Sequence, residues 1–409
     1  MAMIWFKKHK KNISELADQK TSIEELTRAS QNGDSKAQCV LGKCYEHGLG
    51  VDRDMKKAED LYRKSAEQGF VSGQFCLATI LLTAFKTEYE GEVRFITTEE
   101  RLDEVLFWYR KAAEQGSKES LYQLGIFYQK GWGVEKDFKE AARWFQKASD
   151  LGSPAAQYAL ALLYGDGNGV ERNQRKAFKL YKAAAEKNYS RAQCNLGYCY
   201  LNGEGTMPDE KKGVEWLMKS AAQEYAYAEF KLGECYELGR GVVENHIEAA
   251  KWYAKAAEHG NAEALSRLGY CYEKGDGVEK DEGKAFECYS QAADLDSLSA
   301  IHNLGSCYYH GIGTEKNIES AIHCWSISSE REHPVSQLNL GLMLIKGDGV
   351  EFNIVKGVEY LFRASHNGNA QAIRVLRSLL NSDIFDPFSG NLVCDIIRKS
   401  PLCREGFFV

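Results

Sequence analysis

A 36-residue internal repeat is the feature that most restricts the fold of this 409-residue chain. A leucine followed by glycine, or twice by alanine, recurs in one phase. These leucines are Leu41, Leu77, Leu124, Leu160, Leu196, Leu232, Leu268, Leu304 and Leu340. Successive leucines are 36 residues apart, except that Leu77 and Leu124 are separated by 47. Such a period is typical of a solenoid, so we predict nine repeats of one architecture rather than two or three separate domains.

Each repeat has the pattern of two short helices. Ala228, Leu232, Cys235 and Tyr236 fall on one helical face in a typical repeat, and Trp252 begins the aromatic stretch of its second helix. Asp or Asn, which are good N-cap residues, stands thirteen residues after the leucine in eight repeats. Glycines are predicted to end the first helices, where a left-handed residue is needed. They are Gly48, Gly131, Gly167, Gly203, Gly239, Gly275, Gly311 and Gly347. The sequence therefore predicts an all-α solenoid.

The repeat pattern A-x-x-x-L-G-x-x-Y-x-x-G-x-G-V…D…A-x-x-W-Y-x-K-A-A-E-x-G resembles the Sel1-like repeat, a relative of the tetratricopeptide repeat. Ala228 to Gly260 follows it almost letter for letter, and the phase is kept over residues 36–380. The resemblance implies a right-handed α/α superhelix whose first helices line a concave groove. It also implies an adaptor that assembles protein complexes, without naming a partner.

The repeats are expected to occupy residues 36–369, with an 11-residue insert near 83–98. The second repeat has Arg101 where the others carry a cap, so its second helix is expected to start earlier, from a capping box of Thr97 and Glu100. The insert has two interpretations, a contact loop that projects from the solenoid or a tolerated surface insertion.

The chain ends are predicted to differ from the repeats. Residues 13–35 have the pattern of a half-repeat helix, and 370–380 have that of a C-terminal capping helix. The basic leader 1–12 is expected to be a frayed terminus, with a weak interfacial anchor as the alternative. The apolar tail 381–409 is expected to fold over the last repeat, with partner binding as its alternative.

Charge and cysteine placement restrict the environment. A net charge of −6 with interleaved signs gives no electrostatic case for nucleic acid binding. Five of the twelve cysteines share one core-facing position, and neighbouring ones are expected about 8–10 Å apart, too far for a disulfide. They are Cys44, Cys199, Cys235, Cys271 and Cys307. Reduced thiols without a signal peptide or a membrane-spanning stretch predict a cytoplasmic protein.

Catalytic and metal-binding motifs are not found in the sequence. The G-x-G strings follow helices rather than strands, so they lack the context of a nucleotide-binding loop. His302 and His310 lie near Cys307 in the chain, but Cys307 is predicted to point into the core, so no zinc site is expected. We therefore predict no catalytic residues, no cofactor and no metal.

One face of the first helices is predicted to bind a partner. With the repeat leucine as position zero, positions −5, −2, +2 and +5 point away from it. The aromatic residues at these positions are Tyr122, Tyr158, Tyr198, Tyr227, Phe230, Tyr270 and Tyr309. The acidic ones are Glu119, Glu234, Glu237, Glu263 and Glu273. We expect this groove to hold a partner segment with basic residues. In the alternative, some of these tyrosines pack between neighbouring first helices.

The leading functional prediction is a non-enzymatic scaffold or adaptor for protein–protein interaction. A dedicated inhibitor, such as an immunity-type protein, or an effector that acts on host proteins is the alternative within binding proteins. A hydrolase, as claimed for secreted Sel1-like relatives, is the alternative from another class. The oligomeric state is left open.

Overall fold

The computed structural model describes residues 23–83, 86–89, 92–95 and 99–380. Over these ranges the chain forms twenty helices and one short hairpin, divided between two compact units, Met1–Pro208 and Asp209–Val409. The predicted leader 1–12 and tail 381–409 lie outside the described residues.

The first unit contains ten described helices, each packed on the next along the chain. They are α1 (Ile23–Gln31), α2 (Ser35–His47), α3 (Met55–Glu67), α4 (Val71–Thr83), α5 (Glu99–Glu114), α6 (Lys118–Lys130), α7 (Phe138–Asp150), α8 (Pro154–Asp166), α9 (Gln174–Glu186) and α10 (Ser190–Asn202).

The second unit has ten more described helices with the same consecutive packing, which confirms the predicted all-α solenoid of helix pairs. They are α11 (Glu210–Ala221), α12 (Ala226–Leu238), α13 (His246–Glu258), α14 (Ala262–Lys274), α15 (Glu282–Asp294), α16 (Leu298–His310), α17 (Ile318–Glu330), α18 (Pro334–Lys346), α19 (Ile354–His366) and α20 (Ala370–Leu380). None of the described helices is both long and apolar enough to cross a membrane.

The insert of the second repeat contains an antiparallel hairpin that the sequence analysis did not predict. Its strands are β1 (Lys86–Tyr89) and β2 (Glu92–Phe95), paired from Lys86 with Phe95 to Tyr89 with Glu92. Threonine, tyrosine, valine and phenylalanine in these strands have high β-propensity. Helix α5 then begins at Glu99, earlier than the cap phase at Arg101. The capping box predicted there lies outside the described side chains.

Side-chain caps begin the second helices, as predicted. In each case the Asp or Asn side chain accepts a hydrogen bond from a backbone N–H of the first turn, for example Lys57 N to Asp54 Oδ1 at 3.0 Å. The capping residues are Asp54, Asp137, Asn173, Asp209, Asn245, Asp281, Asn317 and Asn353. The eight glycines predicted to end the first helices all adopt the left-handed conformation there.

The core of a helix pair is a glycine of the first helix packed against an aromatic ring of the second. A Cβ added to Gly233 would stand 2.4 Å from Tyr253 Cε1, and Tyr253 is fully buried. The same pairing joins Gly42 to Tyr62, Gly125 to Phe145, Gly269 to Tyr289 and Gly305 to Trp325. Because glycine has no side chain, the two helices approach closely and the ring fills the remaining space.

Side-chain hydrogen bonds join several first helices to the second helix that precedes them in the chain. A glutamine at position −3 donates to a carbonyl eight residues earlier, for example Gln193 Nε2 to Ala185 O at 3.3 Å. Gln38, Gln74 and Gln337 make the same bond. Glu229 replaces this glutamine in one repeat, where it is 3% exposed and lies 2.7 Å from His259 Nδ1. These bonds satisfy buried backbone carbonyls between repeats.

The five equivalent first-helix cysteines are buried, as predicted, and the ten cysteines within the described residues are all free thiols. Burial raises the pKa of Cys199, Cys271 and Cys307 to about 12. These thiols therefore behave as small core side chains rather than as nucleophiles.

Two residues that end consecutive repeats offer a matched test of backbone strain. Glu332 and Gly368 both have positive φ, 63° and 85°. Glu332→Gly is expected to raise the unfolding free energy by about 0.5–1 kcal/mol because it removes left-handed strain. Gly368→Ala is expected to lower it by about 1 kcal/mol, through the backbone alone, since no atom lies within 4 Å of an added Cβ. Urea denaturation measures both, and shifts in the same direction would contradict this account.

The glycine–aromatic contact predicts opposite effects for two glycine-to-alanine changes. Gly233→Ala is expected to lower the unfolding free energy by about 1–3 kcal/mol because the new methyl group collides with Tyr253. Gly165→Ala, inside α8, is expected to raise it by about 0.5–1 kcal/mol, since only Gln174 Oε1 lies near, at 3.9 Å. Urea unfolding followed by circular dichroism compares them. Equal effects would show that the ring does not restrict the site.

Candidate functional site

Three of the predicted groove tyrosines are well exposed on the face of the first helices. Tyr198 in the first unit is 43% exposed, and Tyr227 and Tyr270 in the second unit are 43% and 44% exposed. Tyr198 and Tyr270 occupy position +2, and Tyr227 occupies position −5. Lys231 Nζ lies 5.3 Å from the centre of the Tyr227 ring, and Lys274 Nζ lies 5.8 Å from that of Tyr270. These positions present aromatic surface to solvent.

The residues at position −2 do not point away from the core, so that part of the prediction is wrong. Phe230 is only 7% exposed, and its ring centre lies 5.9 Å from that of Tyr253 in the second helix of its own repeat. The half-buried Tyr122 and Tyr158 make corresponding contacts with second-helix rings, Phe145 at 5.7 Å and Tyr181 at 5.9 Å. The second helix of each of these repeats therefore covers the side chain at position −2 as well as the core-facing side of the first helix.

Tyr309, at position +5, is held between two repeats. Its ring centre lies 5.4 Å from that of Trp325, and its hydroxyl donates to Asp348 of the following repeat. The hydrogen bond to Asp348 raises the pKa of Tyr309. This tyrosine thus packs between neighbouring elements, as the alternative interpretation allowed.

Two of the predicted groove glutamates are structural acceptors. Tyr289 Oη donates to Glu273 Oε2 at 3.0 Å, and the Tyr253 hydroxyl donates to Glu237. Burial together with the neighbouring carboxylate raises the pKa of both phenols. Each pair joins the end of a first helix to the core ring of its own second helix, so these carboxylates help to orient the rings.

Basic side chains balance much of the acidic charge on this face. Lys231 Nζ lies 2.7 Å from Glu234 Oε2, Arg267 lies 3.7 Å from Glu237 Oε1, and Lys274 Nζ lies 2.6 Å from Glu273 Oε1. Sequence reasoning missed Lys231 and Arg267, which share position −1, next to the face that was considered. The face of the second unit is therefore less acidic than the sequence analysis assumed.

Glu263 and Glu119 are exposed at position −5. The Glu263 carboxylate accepts hydrogen bonds from Ser297 Oγ and Ser299 Oγ, both at 2.9 Å. Neither glutamate forms an ion pair with a basic residue in the part of the chain that the structure describes. Glu263 lies in the second unit, as do Tyr227 and Tyr270, and is the carboxylate of that face best suited to a basic group.

The histidine and cysteine side chains considered for a zinc site, those of His302, His310 and Cys307, are not arranged as metal ligands. Cys307 is buried, and His302 Nδ1 lies 2.8 Å from Ser336 Oγ, with its ring 4.7 Å from that of His333. Desolvation, helped by the nearby His333, lowers the pKa of His302 to about 4. Among the described residues no group of three His, Cys, Asp or Glu side chains is arranged to hold a metal.

An open surface pocket of about 390 Å³ lies outside the predicted face, between α16 and α17. It is lined by Leu304, Tyr308, Glu319, Ser320, His323 and Cys324. Burial raises the pKa of the Cys324 thiol, which is the opposite of what a nucleophilic cysteine beside a histidine requires. The side chains of this pocket therefore give no support for a cysteine hydrolase.

Comparison with protein families identifies the repeat. The Sel1 repeat model matches nine segments: 35–70, 106–117, 118–153, 154–189, 190–225, 226–261, 262–297, 298–333 and 334–369. A crystal structure of a protective antigen from uropathogenic Escherichia coli is 30% identical with a TM-score of 0.66, over 88% of this chain and 75% of that one. A Sel1 repeat protein from Oxalobacter formigenes is 28% identical with a TM-score of 0.56, over 80% and 92%.

Curated relatives share shorter stretches. Chitin synthase regulatory factor 3 of Schizosaccharomyces pombe is 31% identical over 116 residues, which is 28% of this chain. The rat DAP3-binding cell death enhancer 1 is 40% identical over 63 residues, or 15% of this chain. The matched segment covers only 12% of the length of each of these two proteins.

The buried His302 predicts a pH dependence of stability. Because its folded pKa of about 4 lies below the ordinary value of 6.5, the unfolded chain takes up a proton first as the pH falls. The stability that the buried, neutral His302 contributes to the folded state is fully present above pH 6.5 and is lost progressively between pH 6.5 and pH 4. His302→Leu, which copies Leu338 of the next repeat, is expected to lessen the loss between pH 7 and 4.5 by about 2–3 kcal/mol.

Urea denaturation at a series of pH values measures this difference. His310→Gln, which removes an exposed histidine from the same helix, is the matched control. Parallel profiles for wild type and His302→Leu would refute the assignment.

Proposed function

The chain belongs to the Sel1 repeat family, and from that membership we propose that it is a non-enzymatic adaptor that binds a segment of a partner protein on the face of its first helices. Repeats of this architecture generally mediate protein–protein interaction. Two curated relatives are named as a chitin synthase regulatory factor and as a DAP3-binding protein.

The observation that carries the proposal is the exposure of Tyr198, Tyr227 and Tyr270. A solvated helix face normally carries lysine and glutamate, whereas tyrosine offers a large contact area at a small loss of side-chain entropy. Each of these rings is held on a rigid helix, so little conformational freedom is lost when a partner covers it. Exposed aromatic residues on rigid elements are typical hot spots of protein interfaces.

The charges on the face of the second unit refine the partner's chemistry. Glu234 and Glu237 already face Lys231 and Arg267, so a basic partner would have to compete with internal cations for them. Glu263 has only hydroxyl donors within the described residues. The proposed partner segment therefore places apolar and hydrogen-bonding groups on Tyr227 and Tyr270 and one basic side chain at Glu263.

A reducing compartment such as the cytoplasm fits this proposal. The five equivalent cysteines are buried free thiols, which act as core side chains rather than as disulfide partners.

Site-specific photocrosslinking tests the proposal. Benzoylphenylalanine is placed at position 198, 227 or 270, and for comparison at Phe107 or Phe352, exposed aromatic residues outside the predicted face. We expect one protein to crosslink at the first three positions and not at the other two. That protein is then purified, and its affinity is measured directly.

The identified partner is expected to lose about 100-fold or more in affinity for the Tyr198/Tyr227/Tyr270→Ala variant, since three interface tyrosines that contribute about 1–2 kcal/mol each account together for about 3–6 kcal/mol. The matched Phe107/Phe352→Ala variant is expected to bind like wild type. Undiminished binding by a folded triple tyrosine variant would refute the proposed surface.

A further inference from the structure

The surface pocket between α16 and α17 lies where the eighth repeat departs from other repeats at two positions. With the repeat leucine as position zero, these are position +16, held by Ser320, and position +20, held by Cys324. Both side chains line the pocket, as do Leu304 and Tyr308 of α16. The small residues at the two positions leave about 390 Å³ open, which we call the Leu304 pocket.

A tryptophan at position +20 accompanies a fully buried repeat leucine. Three repeats carry this tryptophan, as Trp144, Trp216 and Trp252. Their leucines are Leu124, Leu196 and Leu232, all fully buried. Trp144 packs against the core cluster that contains Leu124. Leu304, in the repeat with Cys324, is only half-buried, whereas the other eight repeat leucines are buried. The small Cys324 therefore leaves apolar surface on Leu304 that an aromatic ring can cover.

A lysine at position +16 stands over the tyrosine at position +4 in several repeats. In three such pairs the ammonium nitrogen lies 5.0–5.4 Å from the ring centre: Lys57 with Tyr45, Lys176 with Tyr164 and Lys284 with Tyr272. A cation at this distance is attracted by the face of the ring. In the eighth repeat Ser320 replaces the lysine, and no lysine or arginine of the described chain stands over Tyr308. This ring therefore offers its face to a cation from outside.

The charge and rigidity of the lining suit such a cation. Glu319, next to Ser320, supplies a carboxylate, and the lining contains no lysine or arginine. The Phe286 ring of α15 packs edge-to-face on Tyr308, with ring centres 5.4 Å apart, so the tyrosine is held in place before a ligand binds. The pocket thus combines apolar surface, a ring face and a negative charge.

We propose that the Leu304 pocket binds an aromatic residue and a neighbouring lysine of a partner protein, with the ring on Leu304 and the ammonium group near Tyr308 and Glu319. These are the two groups that Cys324 and Ser320 do not supply. That the ligand belongs to a protein rests on the proposed function. The pocket itself is a second site, outside the face that carries the exposed tyrosines.

Nuclear magnetic resonance of the full chain labelled with ¹³C-tyrosine tests the pocket with dipeptide probes at about pH 8, where imidazole is neutral. The Tyr308 ring signal is assigned by its loss in Tyr308→Phe. N-acetyl-tryptophanyl-lysine amide is expected to shift it saturably and to bind about fivefold or more tightly than the norleucine analogue, which lacks the charge. Tyr272, already covered by Lys284, is the internal control. Equal binding of both probes, or matching shifts at Tyr272 and Tyr308, would overturn the proposal.

Variants that supply the missing groups from inside provide a second test. Ser320→Lys copies Lys284 of the preceding repeat, and Cys324→Trp copies Trp252. Each is expected to weaken binding of the lysine probe about tenfold or more, because the internal group occupies its place. His310→Lys adds the same charge at an exposed residue outside the lining and is expected to bind the probe like wild type. Undiminished binding by Ser320→Lys would contradict the assignment.

Removal of the carboxylate separates recognition of charge from filling of the pocket. Glu319 is exposed, so Glu319→Gln is expected to fold normally and to weaken the lysine probe about threefold while the norleucine probe is unaffected. Glu315→Gln, also exposed and outside the lining, is the matched control. Equal losses for the two probes would refute a role of Glu319 in holding the ammonium group.

Sedimentation of the full chain tests a second copy as the occupant. Ser320→Lys is expected to leave the sedimentation unchanged, and a dimer that this substitution dissociates would overturn the choice of a partner protein. A dipeptide probe that fails to bind defeats only the Leu304 pocket, whereas a partner that ignores the Tyr198/Tyr227/Tyr270→Ala substitutions defeats the proposed surface. The two failures are therefore distinguishable.

Discussion

Contact between a glycine of the first helix and a ring of the second is the interaction on which five of the repeats depend. Gly233 against Tyr253 and Gly125 against Phe145 leave no room for a methyl group, so the distance between the paired helices is set by the ring itself. Where the glycine is replaced, as by Ala161 in the repeat of Tyr181, the substitute is still small. Repeating one tight contact produces one helix-pair geometry along the described chain.

This contact also decides which residues of the first helix remain available for binding. The core ring reaches the side chain at position −2, so Phe230 and Tyr158 support the ring rather than face a partner. Where the core ring is a tyrosine and position +5 is a glutamate, the hydroxyl donates a hydrogen bond to that carboxylate, as Tyr289 does to Glu273. Positions +2 and −5 stay partly or fully exposed, and the proposed binding face is built from them. The stability of the repeat and the extent of its binding face are thus set by the same packing.

Variation at the free positions gives the two compact units different chemistry on the same scaffold. In the second unit Tyr227 and Tyr270 stand among balanced ion pairs, with Glu263 as the carboxylate facing only hydroxyl donors. In the first unit the same two positions hold Arg191 and Tyr198 in one repeat. Because the buried positions repeat, a change at position −5 alters the proposed binding face while the core contacts stay the same.

The sequence alone was enough to predict the features that depend on near neighbours. The N-caps at Asp54 and Asn245 and the left-handed glycines bond within a few residues, and these local rules recur in eight of the repeats. The number and order of the helices in the repeats follow from them. The hairpin of the insert was not predicted because it stands outside the repeat pattern.

Only the tertiary structure decided which side chains of the first helices are available. The burial of Phe230 depends on Tyr253, and the occupation of Glu237 depends on Tyr253 and Arg267, residues a whole helix or a whole repeat away. A helical wheel divides one helix into two halves, but a helix packed on several neighbours is covered over more than half its surface. Period and caps are local properties, whereas exposure and charge balance are set by contacts between helices.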